Sequence, residues 1–444
     1  MANPVHTLTP LLGADAVLSQ EQIAADLGAS LALVTVDRTL PPAVVYPTNE
    51  SQLAEVMACA HQNQWRVLPC GNGSKLAWGG LAEGIDLVIS TTRLNRIVDH
   101  AVGDMTLTAQ AGLTLADLRP PLAAVSQFLP LDPAYSQRAT LGGIVATGET
   151  GSLRQRYGGV RDMLIGLSFV RQDGQIAKAG GRVVKNVAGY DLMKLFTGSY
   201  GSLGIISQLT FRLFPVQETS RTLLISGNIA EIQTLTAAVR RSSLTPVALD
   251  LLSPALTAAL GGPAAITLAA RFQSIAPGVV EQVAVLRQMI PADLTVRELA
   301  AEADQCFWDE ANHQIFSIQP TATARQPLRA KVGLLPTETC AFLAQLETLA
   351  PQTMARLHAS SGIGSLSLSP EAIPSPGLTS GLEKLRTFCT MAQGYLALLE
   401  APSEIKTTLG VWGEVGPALA PMQAIKAQFD PQRRLSPGRF VGGL

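Results

Sequence analysis

Pro69-Cys70-Gly71-Asn72-Gly73-Ser74-Lys75-Leu76-Ala77-Trp78-Gly79-Gly80 is the stretch whose reading decides the fold. It follows a short apolar strand, Trp65-Arg66-Val67-Leu68. Glycines reach backbone angles closed to other residues, so successive N–H groups can turn toward one point, and such a point attracts an anion. Ser74 adds a hydroxyl and Lys75 a positive charge, which makes a phosphate or diphosphate the natural guest. Standing alone, the stretch is equally a plain turn, because Gly-x-Gly after a strand is common.

Two further glycine clusters change that balance. Ala139-Thr140-Leu141-Gly142-Gly143-Ile144-Val145-Ala146-Thr147-Gly148 continues to Gly151, and its small residues let a flat ligand lie against the backbone. Gly189-Tyr190-Asp191-Leu192 is followed by Leu195 to Ile206, which includes Gly198, Gly201 and Gly204. The order and wording of the three clusters resemble the FAD-binding domain of the vanillyl-alcohol oxidase and p-cresol methylhydroxylase (PCMH-type) superfamily. Within it, Gly180 to Leu192, Gly-Gly-Arg-Val-Val-Lys-Asn-Val-Ala-Gly-Tyr-Asp-Leu, is similar to the FAD-binding E subunit of bacterial glycolate oxidase. The resemblance covers roughly the first half of the chain. It implies an α+β fold, with an FAD-binding domain of two α+β lobes and an α+β cap of antiparallel sheet and helices. It also implies a cofactor set of Cys70, Gly71, Asn72, Gly73, Ser74, Lys75, Pro133, Thr140, Leu141, Gly142, Gly143, Thr147, Gly148, Gly151, Gly204 and Ile205.

With 444 residues the chain is too long for one core and divides into two or three domains. A net charge of −1 with 15% charged residues gives no cationic face for nucleic acid or anionic membrane. No uninterrupted apolar run is long enough to span a bilayer, and Met1 to Thr7 has neither a basic start nor an apolar signal core. These features lead us to expect a cytoplasmic protein, peripheral to a membrane at most through partners. The five cysteines, Cys59, Cys70, Cys306, Cys340 and Cys389, fit neither a disulfide framework nor a cluster motif. We read Cys70 as a small residue lining its turn rather than as a reactive thiol.

In chain order, a helical stretch near Glu21 to Leu27 leads to Pro41-Pro42, and Val44 to Pro47 reads as a strand. Asn49 caps a helix whose Leu53, Val56, Met57 and Ala60 recur at i, i+3, i+4 and i+7. Strands are expected at Asp86–Ser90, Met105–Ala111 and Leu209–Phe214, with a hairpin from Leu164 to Ala179. Residues 1–215 are thus expected to form the FAD domain and 216–415 the cap, with 416–444 returning to the FAD domain. In the cap, Asn228 and Glu231 form a capping box, strands recur at Ala265–Phe272, Leu328–Leu334, Met354–His358 and Leu366–Ser369, and Pro370–Gly381 reads as a surface loop. The tail from Phe429 to Phe440 resembles the family's closing segment, with Ser436 where asparagine is commoner.

A flavin carries its own redox chemistry, so the protein must bind it and bring a donor to it. Many relatives tie the flavin to a histidine in the phosphate loop, and Gly71 to Lys75 has none, so non-covalent FAD is expected. The catalytic base stays unassigned and no metal site is expected: the resembling branch builds one around a histidine-rich Asp-Gly-Asn motif that this chain lacks. His313 and His358 have no acidic neighbours at ligand spacing, and with His6, His61 and His100 they read as surface or packing residues. Arg138, Arg154, Arg156, Arg161 and Lys185 are candidates for positive charge near the flavin, and Tyr157 and Tyr190 for its border. The resemblance implies oxidation of a small 2-hydroxy acid, glycolate or D-lactate, beside a second flavoprotein subunit and an iron–sulfur subunit. A stand-alone flavin dehydrogenase and a non-catalytic assembly subunit with a degenerate flavin fold are the competing readings.

Overall fold

Glu50–Gln62 forms the helix that its apolar spacing predicts, with the Asn49 side chain accepting from Gln52 N–H at 2.9 Å. Such a cap stabilises a helix by about 1 kcal/mol. Leu53, Val56, Met57 and Ala60 are all buried, and burying a side chain such as Leu53 contributes roughly 1.5–3 kcal/mol. The structure is a computed structural model and describes residues 2–23, 25–35, 38–82, 84–182, 189–317, 327–368 and 375–444. The chain forms two units: Met1–Thr150, Gly159–Val216 and Glu414–Leu444 compose the first, Gly151–Gly158 and Gln217–Gly413 the second.

The helix Glu50–Gln62 shares a core with a four-stranded sheet, ordered Val17–Ser19, Ala43–Val45, Leu87–Ser90, Val67–Cys70. The last three strands run parallel, as a strand–helix–strand crossover requires. A five-stranded antiparallel sheet follows in the same unit, ordered Ile97–Ala101, Thr106–Gln110, Ile205–Arg212, Leu164–Val170, Ile176–Gly180. The expected hairpin is its outer pair. The closing segment lies beside the small sheet: Val67 N–H donates to Arg434 O at 2.8 Å and Ser436 N–H to Val67 O at 2.9 Å. Lys426 anchors that segment from a buried position, donating to Asp430 Oδ2 at 2.6 Å and to the carbonyls of Ser202 and Leu435 at 2.8 Å each.

The second unit is an eight-stranded antiparallel sheet, ordered Thr295–Ala300, Thr219–Gly227, Ile266–Ser274, Ala248–Leu252, Met354–His358, Ile363–Leu368, Leu328–Gly333, Tyr395–Glu400. One face carries Leu223, Ile225, Leu251, Leu268, Leu357 and Leu366 into a core shared with the helices Ile229–Arg241, Ala276–Met289, Thr339–Leu349 and Ser375–Met391. Strand alternation sends Asp250, Arg271, Arg356 and His358 the other way, toward the helix Ala301–Phe316 and the short segment Gly151–Gly158.

Two expectations are corrected here. Gly151–Gly158 belongs to the second unit, because Ser152 and the turn of helix Arg154–Tyr157 pack on strand Ala248–Leu252. The interval read as a surface loop, Pro370–Gly381, holds the start of helix Ser375–Met391: Leu382, Leu385 and Cys389 recur at helical spacing and are buried in the core. Residues 370–374 lie outside the described residues.

Candidate functional site

Within the first unit the strand Val67–Cys70 ends at the wall of a cleft with about 840 Å³ of empty space, solvent-facing mouth included. Cys70, Gly71, Asn72, Gly73, Ser74 and Lys75 line it, and so do Thr140, Gly142, Gly143, Thr147, Gly204 and Ile205. The three separated glycine clusters therefore meet in one place.

The local reasons can be read residue by residue. Thr140 caps helix Leu141–Thr147 by accepting from Gly143 N–H at 3.2 Å, and Gly148, at φ +60°, ends it in the left-handed region. Two glycines inside a seven-residue helix cost helical propensity. At Gly142 the reason is close approach, because a Cβ there would sit 2.8 Å from Ala111 Cβ and 3.0 Å from Ala111 O. At Gly71 a Cβ would come within 2.1 Å of Thr140 Oγ1, so a side chain there would push against the cap of the neighbouring helix.

Lys75 Nζ lies 3.5 Å from Thr147 Oγ1 and 5.2 Å over the Trp78 ring, which places a cation at the wall where the first two clusters meet. Cys70 is not a nucleophile here, because burial pushes its thiol up to about 12 against a smaller opposing hydrogen bond with Ser90. Arg138 Nη2 approaches Asn72 O at 3.4 Å and so braces the loop.

Not every predicted residue reaches the cleft. Leu141 is fully buried on the packed side of its helix, Gly148 serves as the helix stop, Pro133 is buried outside the lining, and Gly151 is in the second unit. Arg154, Arg156 and Tyr157 are in the second unit as well, and Tyr190 is 90% exposed. Lys185 lies outside the described residues.

The cleft also holds residues that sequence reasoning missed, chiefly Tyr200, Gly201 and Arg439. Arg439 sits one residue past the Ser436-Pro437-Gly438 turn and donates to the carbonyls of Gly80 at 2.6 Å, Leu76 at 2.5 Å and Trp78. Its docking explains Gly79 and Gly80. A Cβ at Gly80 would lie 2.2 Å from Gly438 O, and one at Gly79 2.7 Å from Arg439 O. Those glycines, read at first as part of the anion cradle, make room for the closing segment.

Small residues that admit a flat ring system, donors at Asn72 and Ser74, and cations at Lys75 and Arg439 suit a flavin dinucleotide. The Ser436 hydroxyl is buried behind Pro69 and Gly201 and has no hydrogen-bond partner among the described residues. Residues 41–180 match the family model described as FAD binding domain. This is an FAD-binding oxidoreductase.

The flavoenzyme is 25% identical over 434 residues to glycolate oxidase subunit GlcD of Bacillus subtilis, covering 91% of this chain and 89% of that one. With glycolate oxidase subunit GlcE of Escherichia coli it shares 36% identity over 154 residues, 34% of this chain and 43% of that protein. With the mitochondrial cytochrome-linked D-lactate dehydrogenase of Arabidopsis thaliana it shares 32% over 181 residues, 41% of this chain and 32% of that one. A crystal structure of p-cresol methylhydroxylase with substrate bound superposes with a TM-score of 0.76 at 15% identity, covering 98% of this chain and 96% of that one, which establishes the PCMH-type fold. The likeness to GlcD runs along the chain, whereas the likeness to GlcE expected from Gly180–Leu192 is partial. No helix among the described residues is long and apolar enough to cross a membrane.

The second unit contains a polar cluster of its own. Strand pairing sets Asp250 opposite His358, and His358 Nδ1 lies 2.8 Å from Asp250 Oδ1. Ser152 Oγ donates to the other carboxylate oxygen, and Arg356 Nε is 3.9 Å from it. Burial works to raise the Asp250 carboxyl, but His358, Arg356 and the Ser152 hydrogen bond together hold it below the usual carboxylate range. An ionised Asp250 can only accept, so Nδ1 is the donor in that hydrogen bond. The acid that His358 lacks at close sequence spacing is supplied from 108 residues away. Among the described residues no cluster of three or more histidine, cysteine or acidic side chains is arranged to hold a metal.

Proposed function

We propose that the chain oxidises a small 2-hydroxy acid, of the glycolate or D-lactate class, to the 2-oxo acid through non-covalently bound FAD, as the flavin subunit of a glycolate oxidase-like complex. One observation carries the reading: glycine bends from Gly71–Gly73, Gly142–Gly143 and Gly201–Gly204 line a single cleft that also holds Lys75 and Arg439. The likeness to glycolate oxidase subunits and to a D-lactate dehydrogenase supports the substrate class. Bound FAD supplies the acceptor for the hydride of the α-carbon. The protein's part is to hold the dinucleotide through Asn72, Ser74, Lys75 and Arg439, and the small residues of Leu141–Thr147 exclude water along that wall. Non-covalent attachment is supported by the histidine-free loop and by the suppressed thiol of Cys70. A sister flavoprotein subunit and an iron–sulfur subunit are the partners this reading calls for.

A second reading, an enzyme complete in one chain, is supported by the 32% identity over 181 residues to a D-lactate dehydrogenase. One experiment separates the two. The purified chain is examined for the visible flavin spectrum, precipitated with acid to see whether flavin is released, and titrated anaerobically with glycolate, D-lactate, L-lactate and D-2-hydroxyglutarate. Released flavin that bleaches only in the presence of partner subunits supports the complex. Rapid bleaching of the isolated chain supports the second reading. A chain that stays colourless after incubation with FAD refutes both.

A further inference from the structure

We propose that Arg439 is the buried countercharge for the diphosphate of the bound dinucleotide, which makes the closing segment Leu435–Arg439 part of the cofactor site. The proposal rests on the FAD reading above and adds to it which residue reads the diphosphate.

Three other buried cations of this chain meet a carboxylate directly. Arg271 meets Asp304 at 2.5 Å, Lys426 meets Asp430 at 2.6 Å, and Arg329 meets Glu400. In each of these three an acid offsets the cost of removing the ion from water. Arg439 is 4% exposed, and its hydrogen bonds go to three backbone carbonyls. Carbonyl oxygens satisfy its N–H groups and bring no net charge. Burial lowers the guanidinium to about 10, so it is still protonated at neutral pH. Among the described residues no carboxylate answers that charge.

The location says where an anion would meet that charge. Arg439 lines the same cleft as Gly71, Asn72, Gly73, Ser74 and Lys75. The three carbonyls that hold it belong to Leu76, Trp78 and Gly80, the continuation of that loop. The guanidinium is thus fixed against the loop before any ligand arrives, and the ligand completes the neutralisation. A flavin bearing a diphosphate gains from this charge, and a flavin without phosphate does not.

The test uses the full chain stripped of flavin, with FAD, ADP (diphosphate without flavin) and riboflavin (flavin without phosphate) titrated by calorimetry or fluorescence. Arg439→Met keeps the stem and removes the charge, and Arg439→Lys restores the charge. For R439M, FAD and ADP affinities are expected to fall about 10- to 100-fold, at least about fivefold more than riboflavin affinity, with R439K recovering most of that difference. Equal losses for FAD and riboflavin would show a purely structural clasp and overturn the proposal, as would ADP binding that ignores the substitution. The unmutated chain gives an independent readout: inorganic pyrophosphate should raise its melting temperature, and no rise counts against a diphosphate site. If it binds riboflavin and not FAD, the proposal falls while a flavin site stands. If it binds none of the three, the FAD reading itself falls.

Discussion

Replacing Gly80 by alanine is expected to unseat the closing segment. The new Cβ would lie 2.2 Å from Gly438 O, and ordinary contact begins near 3.4 Å, so two stretches of main chain must part by about 1.2 Å. Neither can escape by rotating a side chain. That displacement breaks the 2.9 Å bond from Gly80 N–H to Arg439 O and pulls Arg439 Nη1 away from Gly80 O, now 2.6 Å distant. A neutral hydrogen bond contributes about 1 kcal/mol and one to a charged group about 1.5–3 kcal/mol, so the loss is about 3 kcal/mol. For a unit of this size that is a drop of roughly 6–12 °C in melting temperature, read by differential scanning fluorimetry of the flavin-free chain. Gly103→Ala is the control, since a Cβ there meets nothing within 4 Å and should change stability by no more than about 0.5 kcal/mol. A G80A chain that melts within about 1 °C of the parent would refute the docking described for Gly438 and Arg439.

Three other outcomes are expected. Alkylation at pH 8 followed by peptide mapping should label Cys306, which is exposed, well before Cys340, pushed up to about 11, or Cys70 and Cys389, pushed up to about 12; early labelling of Cys70 would contradict its description as an inert wall residue. Because the Asp250 carboxyl is held below its unfolded value of about 3.9, its contribution is intact above that pH and is lost as pH falls through 4 and below; Asp250→Asn should flatten the acid limb of a denaturation curve taken from pH 6 to 3, and an unchanged limb would count against an ionised Asp250. Lys426→Met leaves the fully buried Asp430 uncompensated and should cost about 3–5 kcal/mol in urea unfolding, with part of it restored in a Lys426→Met, Asp430→Asn double variant; an additive or worse double variant would mean that the pair does not act as one.

Local pattern carried a large part of the fold. The stripe Leu53, Val56, Met57, Ala60 placed a helix on a sheet, and the alternation in Leu209–Phe214 placed a strand that runs from Ile205 to Arg212, because both periods are set by backbone geometry. The glycine clusters announced a cleft for the same reason: close approach leaves a mark on composition wherever it occurs. What the sequence withheld depends on distant partners. Gly79 and Gly80 look like any glycines of a ligand loop until the carbonyls of Gly438 and Arg439 are seen against them. His358 reads as a lone histidine until strand pairing supplies Asp250. Gly151–Gly158 follows a cofactor-type cluster without a break in texture, and only packing on strand Ala248–Leu252 assigns it to the other unit. Arg439 was passed over for a related reason, since one basic residue near a turn carries no sign of being buried and uncompensated.

The cleft borrows a wall from the closing segment, and that has a consequence for biosynthesis. On the ribosome, Gly71 to Gly204 emerge early, yet Leu435 to Arg439 cannot join them until the whole of Gln217–Gly413 has been translated. A nascent chain therefore carries an unfinished pocket through most of its elongation. The cleft is complete only after translation has passed Arg439, so a chain that stops short of it presents the loop Gly71–Lys75 without that wall.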